Sequence, residues 1–239
     1  MTKNFAHRGF SGKYPENTML AFEKAVEAGC DGIEFDVHLS ADGQVVIIHD
    51  ERLNRTTNGD GWVKDYTLAQ LKALDASATY KGVYGVCPIP TLEEYYQMLA
   101  GHPQVITNIE LKTGVFEYPE LEKKVLDIID RFDRRATTII SSFNHFSILR
   151  MKALAADIKT AFLEESWIID MGAYTARHGV DCIHPFFCNL TPQHFAEMKA
   201  NGREVNTWTV NEKEHMQQLL ALGVDGIITN HPDLLKTLL

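Results

Sequence analysis

The chain has 239 residues, 45% of them hydrophobic, and a formal net charge of −9. That length suits one α/β barrel, which commonly runs to about 250 residues, and the acidic balance argues against nonspecific binding to nucleic acid or to an anionic membrane surface. No stretch approaches the roughly 18 uninterrupted apolar residues of a membrane span, and Met1-Thr2-Lys3-Asn4 leads into a short apolar run without a signal-peptide core, so a cytoplasmic protein without stable membrane anchoring is expected.

Short β-branched runs alternate with amphipathic stretches along the whole chain. Strands are expected at 4–8, 32–37, 45–49, 105–111, 137–142, 158–163, 180–184, 204–209 and 225–229. Asn17 is read as the cap of a first helix that stops at Gly29. Thr67 and Thr91 are read as caps for Leu68–Leu74 and Leu92–Leu99. Residues 119–132, 145–155, 191–201 and 211–222 carry apolar positions at helical spacing. This alternation predicts a parallel α/β fold.

One of the nine strands is surplus to a (β/α)8 barrel. Asp42-Gly43 lies between two alternating runs, a hairpin signal. With those two residues as the loop, Ala41 faces Gln44 and His49 faces Asp36. The run 45–49 is then an antiparallel return, and eight parallel strands remain. Residues 51–104 are too long for an ordinary connection and are read as an insertion above or beside the barrel, within a single domain spanning 1–239. The expected fold is thus a TIM-barrel variant with a β-hairpin and a small insertion after the second barrel strand.

Barrel active sites lie at the carboxyl ends of the strands, so the strand ends can be read as chemistry. The first ends His7-Arg8-Gly9. The second carries Glu34 and Asp36, two residues apart and on one face. The hairpin returns His49-Asp50, the strand at 105–111 carries Glu110 just before Lys112, and the strand at 204–209 ends Thr207-Trp208-Thr209. Glu34, Asp36 and Glu110 form an all-oxygen set suited to one divalent cation, Mg2+ or Ca2+. A structural network with Arg8 and Lys112 is the plainer reading, but three crowded carboxylates without a cation repel one another.

Arg8 and Lys112 suit a phosphate, one as a planar fork and the other as a point charge. With a divalent ion and the three acids they leave a single positive charge, which a phosphodiester monoanion neutralises. His7 and His49 titrate near neutrality and can divide the acid and base work of diester cleavage. Glu16 is placed to touch the site or orient Arg8. Trp208 is read as a wall of the substrate pocket or as core. His184 is a lesser candidate for facing substrate. The four cysteines, Cys30, Cys87, Cys182 and Cys188, show neither zinc spacing nor a Cys-x-x-Cys pair and are expected to be reduced.

These residues carry a resemblance. His7-Arg8-Gly9, Pro15-Glu16-Asn17-Thr18, Gly32-Ile33-Glu34-Phe35-Asp36-Val37 and His49-Asp50 resemble the glycerophosphodiester phosphodiesterase family. So do Asn54-Arg55-Thr56-Thr57-Asn58-Gly59, Ile109-Glu110-Leu111-Lys112, Ser142-Phe143, Trp208-Thr209-Val210 and Gly226-Ile227-Ile228-Thr229, in family order over nearly the whole chain. The resemblance implies a variant TIM barrel related to phospholipase C-like phosphodiesterases. It implies hydrolysis of glycerophosphodiesters, such as glycerophosphocholine or glycerophosphoethanolamine, to sn-glycerol 3-phosphate and an alcohol. His7 and His49 match the acid/base pair, and Glu34, Asp36 and Glu110 match the metal ligands. Arg8 and Lys112 match phosphate contacts, and Trp208 a substrate-lining aromatic. The last strand ends Thr229-Asn230, where many members have Asp. That position is remote from the main motif and is expected to leave the assignments intact.

Two rival functions are a related phospholipid head-group lyase that stops at a cyclic phosphate and a noncatalytic phosphate-ligand binding barrel. The lyase needs a lipid-accommodating groove, and the binding barrel does not explain two histidines beside a complete acid set. Apolar helix faces fit burial against the barrel or in a homo-oligomer.

Overall fold

The structure is a computed structural model describing residues 1–239. Nine strands appear, all where the periodicity places them: β1 (Lys3–His7), β2 (Gly32–Leu39), β3 (Val45–Ile47), β4 (Ile106–Leu111), β5 (Thr138–Ser142), β6 (Lys159–Glu164), β7 (Cys182–Pro185), β8 (Glu204–Thr207) and β9 (Gly226–Thr229). Their order is β1-β9-β8-β7-β6-β5-β4-β2, and β1 also pairs with β2, so eight parallel strands close into a barrel. β3 pairs antiparallel with β2 outside that ring.

Around the barrel run α1 (Met19–Glu27), α2 (Leu68–Lys72), α3 (Leu92–Met98), α4 (Leu121–Arg131), α5 (His145–Leu154), α6 (Met171–Arg177), α7 (Pro192–Ala200), α8 (Lys213–Leu222) and α9 (Pro232–Lys236). Period-two alternation sends Ile33, Phe35 and Val37 of β2 outward, where they join Phe22 of α1 and Tyr95 of α3 in the main core. Phe22, Phe35 and Tyr95 meet with ring centroids 4.5–5.5 Å apart. Inside the barrel a smaller apolar plug contains Phe5, Ile139, Ala161, Cys182 and Ile228. Phe5 fits there because Gly32 and Gly226 flank it. A Cβ on Gly32 would lie 2.6 Å from the Phe5 ring and one on Gly226 2.8 Å from it.

Three local expectations need correction. The first helix is capped by Thr18, whose side chain accepts from the Ala21 amide. Asn17 instead takes a left-handed backbone, φ 55°, which frees its amide to point inward. Secondly, the hairpin pairs Val37 with Ile47 and Leu39 with Val45. Its loop is therefore three residues, Ala41-Asp42-Gly43, closed by Ser40 N–H donating to the Gln44 carbonyl at 3.0 Å. Gly43 sits at φ 73°, the left-handed position that a three-residue hairpin loop assigns to glycine. Ile48, rather than His49, bonds Asp36: its amide donates to the Asp36 carbonyl at 3.1 Å.

The third concerns the insertion. Its own small core joins Val46 and Ile48 to Leu53, Val63, Leu71, Ala76 and Ile89. α3 does not belong to it: Leu92, Tyr95, Tyr96 and Leu99 pack into the barrel–helix core. The excursion thus ends near Thr91, and the helix that follows serves as an ordinary barrel helix. α2 and α3 both begin with capping boxes, Thr67 with Gln70 and Thr91 with Glu94. No helix is long and apolar enough to cross a membrane.

Candidate active site

Parallel register assembles the mouth of the barrel. His7 pairs with Glu34, and Glu34 with Asn108, forming one level. Asp36 pairs with Glu110 one step higher. Glu34, Asp36 and Glu110 thus meet from two adjacent strands, with a carboxylate oxygen from each within 4.8 Å of the others. All three are buried.

Crowding splits their acidities. Burial, then the charges of Asp36 and Glu110, push Glu34 well above the ordinary carboxylate range. Burial and Asp36 push Glu110 up too, against the pull of Lys112. Burial would also raise Asp36, but Arg8, His49 and Lys112 outweigh it and hold that acid well below its usual range. Asp36 Oδ2 accepts from Asn17 Nδ2 at 3.0 Å, whereas its Oδ1 is buried with no hydrogen-bond donor. A buried acceptor without a donor is costly, and mutually repelling acids want a cation between them. The set fits a hard divalent ion, with Glu34, Asp36 and Glu110 as its holders.

Two cations flank the acids. Arg8 Nε lies 3.5 Å from Asp36 Oδ2, and Nη1 donates to Glu16 Oε1 at 2.9 Å. Glu16 therefore orients Arg8. Lys112 Nζ donates to Glu110 Oε1 at 2.9 Å and lies 3.3 Å from His49 Nε2. Both cations have raised pKa values: burial opposes the shift, but Asp36 and Glu16 raise Arg8, and Glu110 and Asp36 raise Lys112.

The histidines stand on opposite sides of the acids. His7 Nε2 is 3.9 Å from Glu34 Oε2, and His49 Nε2 is 4.0 Å from Asp36 Oδ1. His49 Nδ1 donates to Asp50 Oδ1 at 2.5 Å, and the His49 carbonyl accepts from His38 Nε2 at 3.0 Å. The position of His49 thus survives the corrected register, because it follows the last paired residue and is fixed from both ends. Burial and the neighbouring Arg8 lower the His7 pKa to about 3, so its imidazole is neutral. His7 Nδ1 donates to Asn230 Oδ1 at 2.6 Å. That bond leaves Nε2 as the bare nitrogen and turns it toward the acids.

Asn230 is therefore not remote. β9 is the neighbour of β1, with Thr229 opposite Ala6, and the residue that follows Thr229 reaches His7. Barrel closure is the signal that could have found it. Asn17, read as a cap, holds Asp36 instead. Phe143 and Asn108 also line the cleft, whose walls include His7, Arg8, Glu34, His49, Glu110 and Trp208. Trp208 stands against Phe143 and Phe186, each with ring centroids 5.5 Å away, while its Nε1 donates to the His184 carbonyl at 2.7 Å. Asp36 and Lys112 stand just behind the lining. His184 lies fully buried in the barrel, held by Asn206 Nδ2 at 3.1 Å, and does not line the cleft.

A parallel barrel that gathers acids, imidazoles, an Arg and a Lys at its carboxyl mouth has the form of a barrel enzyme with its active site at the strand ends. Comparison with known proteins narrows the class. A sequence profile described as the glycerophosphoryl diester phosphodiesterase family matches residues 7–234, and the chain belongs to that family of enzymes. A glycerophosphodiester phosphodiesterase of Caldanaerobacter subterraneus is 41% identical over 98% of this chain and 96% of its own. An Oleispira antarctica phosphodiesterase, solved in complex with the product sn-glycerol-3-phosphate, superposes with a TM-score of 0.90 at 30% identity, covering 98% of this chain and 94% of that one. A glycerophosphodiester phosphodiesterase from Agrobacterium tumefaciens gives 0.87 at 27% identity, covering 99% and 100%.

Proposed function

We propose that this enzyme hydrolyses glycerophosphodiesters to sn-glycerol 3-phosphate and an alcohol, with one divalent cation held by Glu34, Asp36 and Glu110. The observation that carries the reading is the convergence of those three acids within 4.8 Å at the mouth, flanked by Arg8, Lys112 and two histidines. When bound, the ion supplies Lewis-acid polarisation of the phosphoryl group.

The chain's own residues supply the rest. Arg8 keeps Nη2 without an intramolecular partner, because Nη1 is committed to Glu16 and Nε faces Asp36. Nη2 and the Lys112 ammonium bind phosphoryl oxygens as charge builds on them. Neutral His7, with a bare Nε2, takes the proton of the attacking hydroxyl. His49, backed by the Asp50 carboxylate, carries a proton to the departing alkoxide. The attacking hydroxyl is that of water, or that of the adjacent glycerol carbon in a two-step route through a cyclic phosphate. Trp208 and Phe143 wall the apolar side of the pocket. The four free thiols agree with action in the reducing cytoplasm.

The test is release of sn-glycerol 3-phosphate from glycerophosphocholine and glycerophosphoethanolamine by metal-stripped protein resupplied with Mg2+ or Ca2+. Release that needs metal and disappears in Glu34→Ala supports the reading. If neither ion restores release from either substrate, the substrate assignment fails. Hydrolysis in 18O water, with trapping for a cyclic species, separates the two routes.

A further inference from the structure

One side chain of the insertion, Arg55, hydrogen-bonds to acids that hold the site's own groups. Arg55 lies in a turn pinned by its own neighbours: Leu53 is fully buried in the small core, and Thr57 N–H and Oγ1 both donate to the Leu53 carbonyl, at 3.1 and 2.7 Å. From that turn the guanidinium forks onto two carboxylates. Nε and Nη2 donate to Asp50 at 2.6 and 3.0 Å, and Nη1 and Nη2 donate to Glu16 at 2.9 and 2.7 Å.

Each carboxylate already has a second duty. Asp50 accepts from His49 Nδ1, and Glu16 accepts from Arg8 Nη1. Apart from the groups they orient, the two acids share Arg55 as their only cationic partner. The Arg55 side chain is 44% exposed, so its role is not to build the core. Four of its five N–H donors are committed to these two acids, so its fork is not a spare phosphate contact.

We propose that Arg55 is a positioning residue that locks the His49–Asp50 and Arg8–Glu16 pairs in register with each other. The proposal rests on the reading of His49 and Arg8 as proton carrier and phosphate contact. A planar guanidinium can grip two carboxylates with two bonds each, whereas an ammonium has only three donors on one atom and cannot hold both in that forked geometry.

The experiment measures glycerophosphocholine hydrolysis by Arg55→Ala and Arg55→Lys, with His49→Ala alongside. Removal of an outer hydrogen-bonding partner of an active group typically costs about 10–100-fold, and a fall of that size in kcat is expected for both Arg55 variants, with KM changing much less. Guanidinium at about 50 mM, far below the molar concentrations that unfold proteins, should restore a good part of the activity of Arg55→Ala, and urea should not. A kcat within twofold of wild type overturns the proposal, and so does a loss that guanidinium fails to restore. Full activity in His49→Ala would instead sink the underlying site reading. An inactive His49→Ala beside an unaffected Arg55→Ala removes only the clamp.

Discussion

Replacing Glu34 by Gln should stabilise the protein when no metal is present. Glu34 is buried between Asp36 and Glu110, with carboxylate oxygens no more than 4.8 Å apart. Two like charges at that distance cost about 3 kcal/mol each way in surroundings of effective dielectric constant near 20. Arg8 offsets part of the repulsion from the pair, leaving a net cost of roughly 3 kcal/mol. The raised pKa of Glu34 sets the pH window. The folded chain binds that proton more tightly than the unfolded one. The stability it confers is fully present below the ordinary glutamate range and is lost as pH rises through the raised value. In chelator near pH 9, about 3 kcal/mol should place the Tm of Glu34→Gln roughly 6–12 °C above wild type for a chain of this size. Near pH 5 the gap should close, because wild-type Glu34 then keeps its proton. Saturating Mg2+ or Ca2+ should raise wild type more than the variant. Scanning calorimetry across pH with and without metal reads all three effects. A variant no more stable than wild type at high pH in chelator, or a gap unchanged at low pH, would refute the electrostatic account.

Other expectations follow from the same geometry. His7→Ala and His49→Ala should each lower kcat on the order of 100-fold or more through lost proton transfer, and near-wild-type turnover in either removes that residue from the mechanism. Arg8→Lys keeps the charge but loses the fork that would join Glu16 to a bound phosphate; steady-state kinetics should show a fall in kcat/KM of about tenfold or more, whereas unchanged kinetics would mean charge alone suffices. Asn230→Ala frees the His7 ring to rotate, and kcat should drop by roughly 10–100-fold with little change in melting temperature. Gly32→Ala presses a methyl group to 2.6 Å from the Phe5 ring and should cost about 1–3 kcal/mol by overpacking, read in a urea melt.

Much of this was legible in the sequence because it rests on short-range pattern. Period-two alternation through Glu34-Phe35-Asp36 places the acids on one face, and barrel topology brings the strand ends to one mouth. What escaped depended on closure or on a single backbone angle. Asn230 meets His7 only because the last strand lies beside the first, across 223 positions of sequence. Asn17 looks like a cap beside Thr18, and only its left-handed φ turns the amide toward Asp36. α6 and α9, of seven and five residues, are too short for apolar periodicity to show. The hairpin register failed by one because Asp42-Gly43 also suits a three-residue loop. α3 reads as part of the insertion because no feature of residues 51–104 marks where the chain rejoins the barrel.

That hairpin has an evolutionary consequence. β3 is paired to β2 through Val37–Leu39 and Val45–Ile47, and its register carries His49 to the mouth. Losing or gaining one loop residue would slip the register and turn every β3 side chain to the opposite face. The spacing between Asp36 and His49 should therefore be closed to insertions and deletions. The chain beyond Arg55, from Thr56 to Ile89, packs on its own small core and on the hairpin, and between those buried anchors it can change length. Among descendants of this chain, divergence in size should accumulate there, and the hairpin should keep its count of residues.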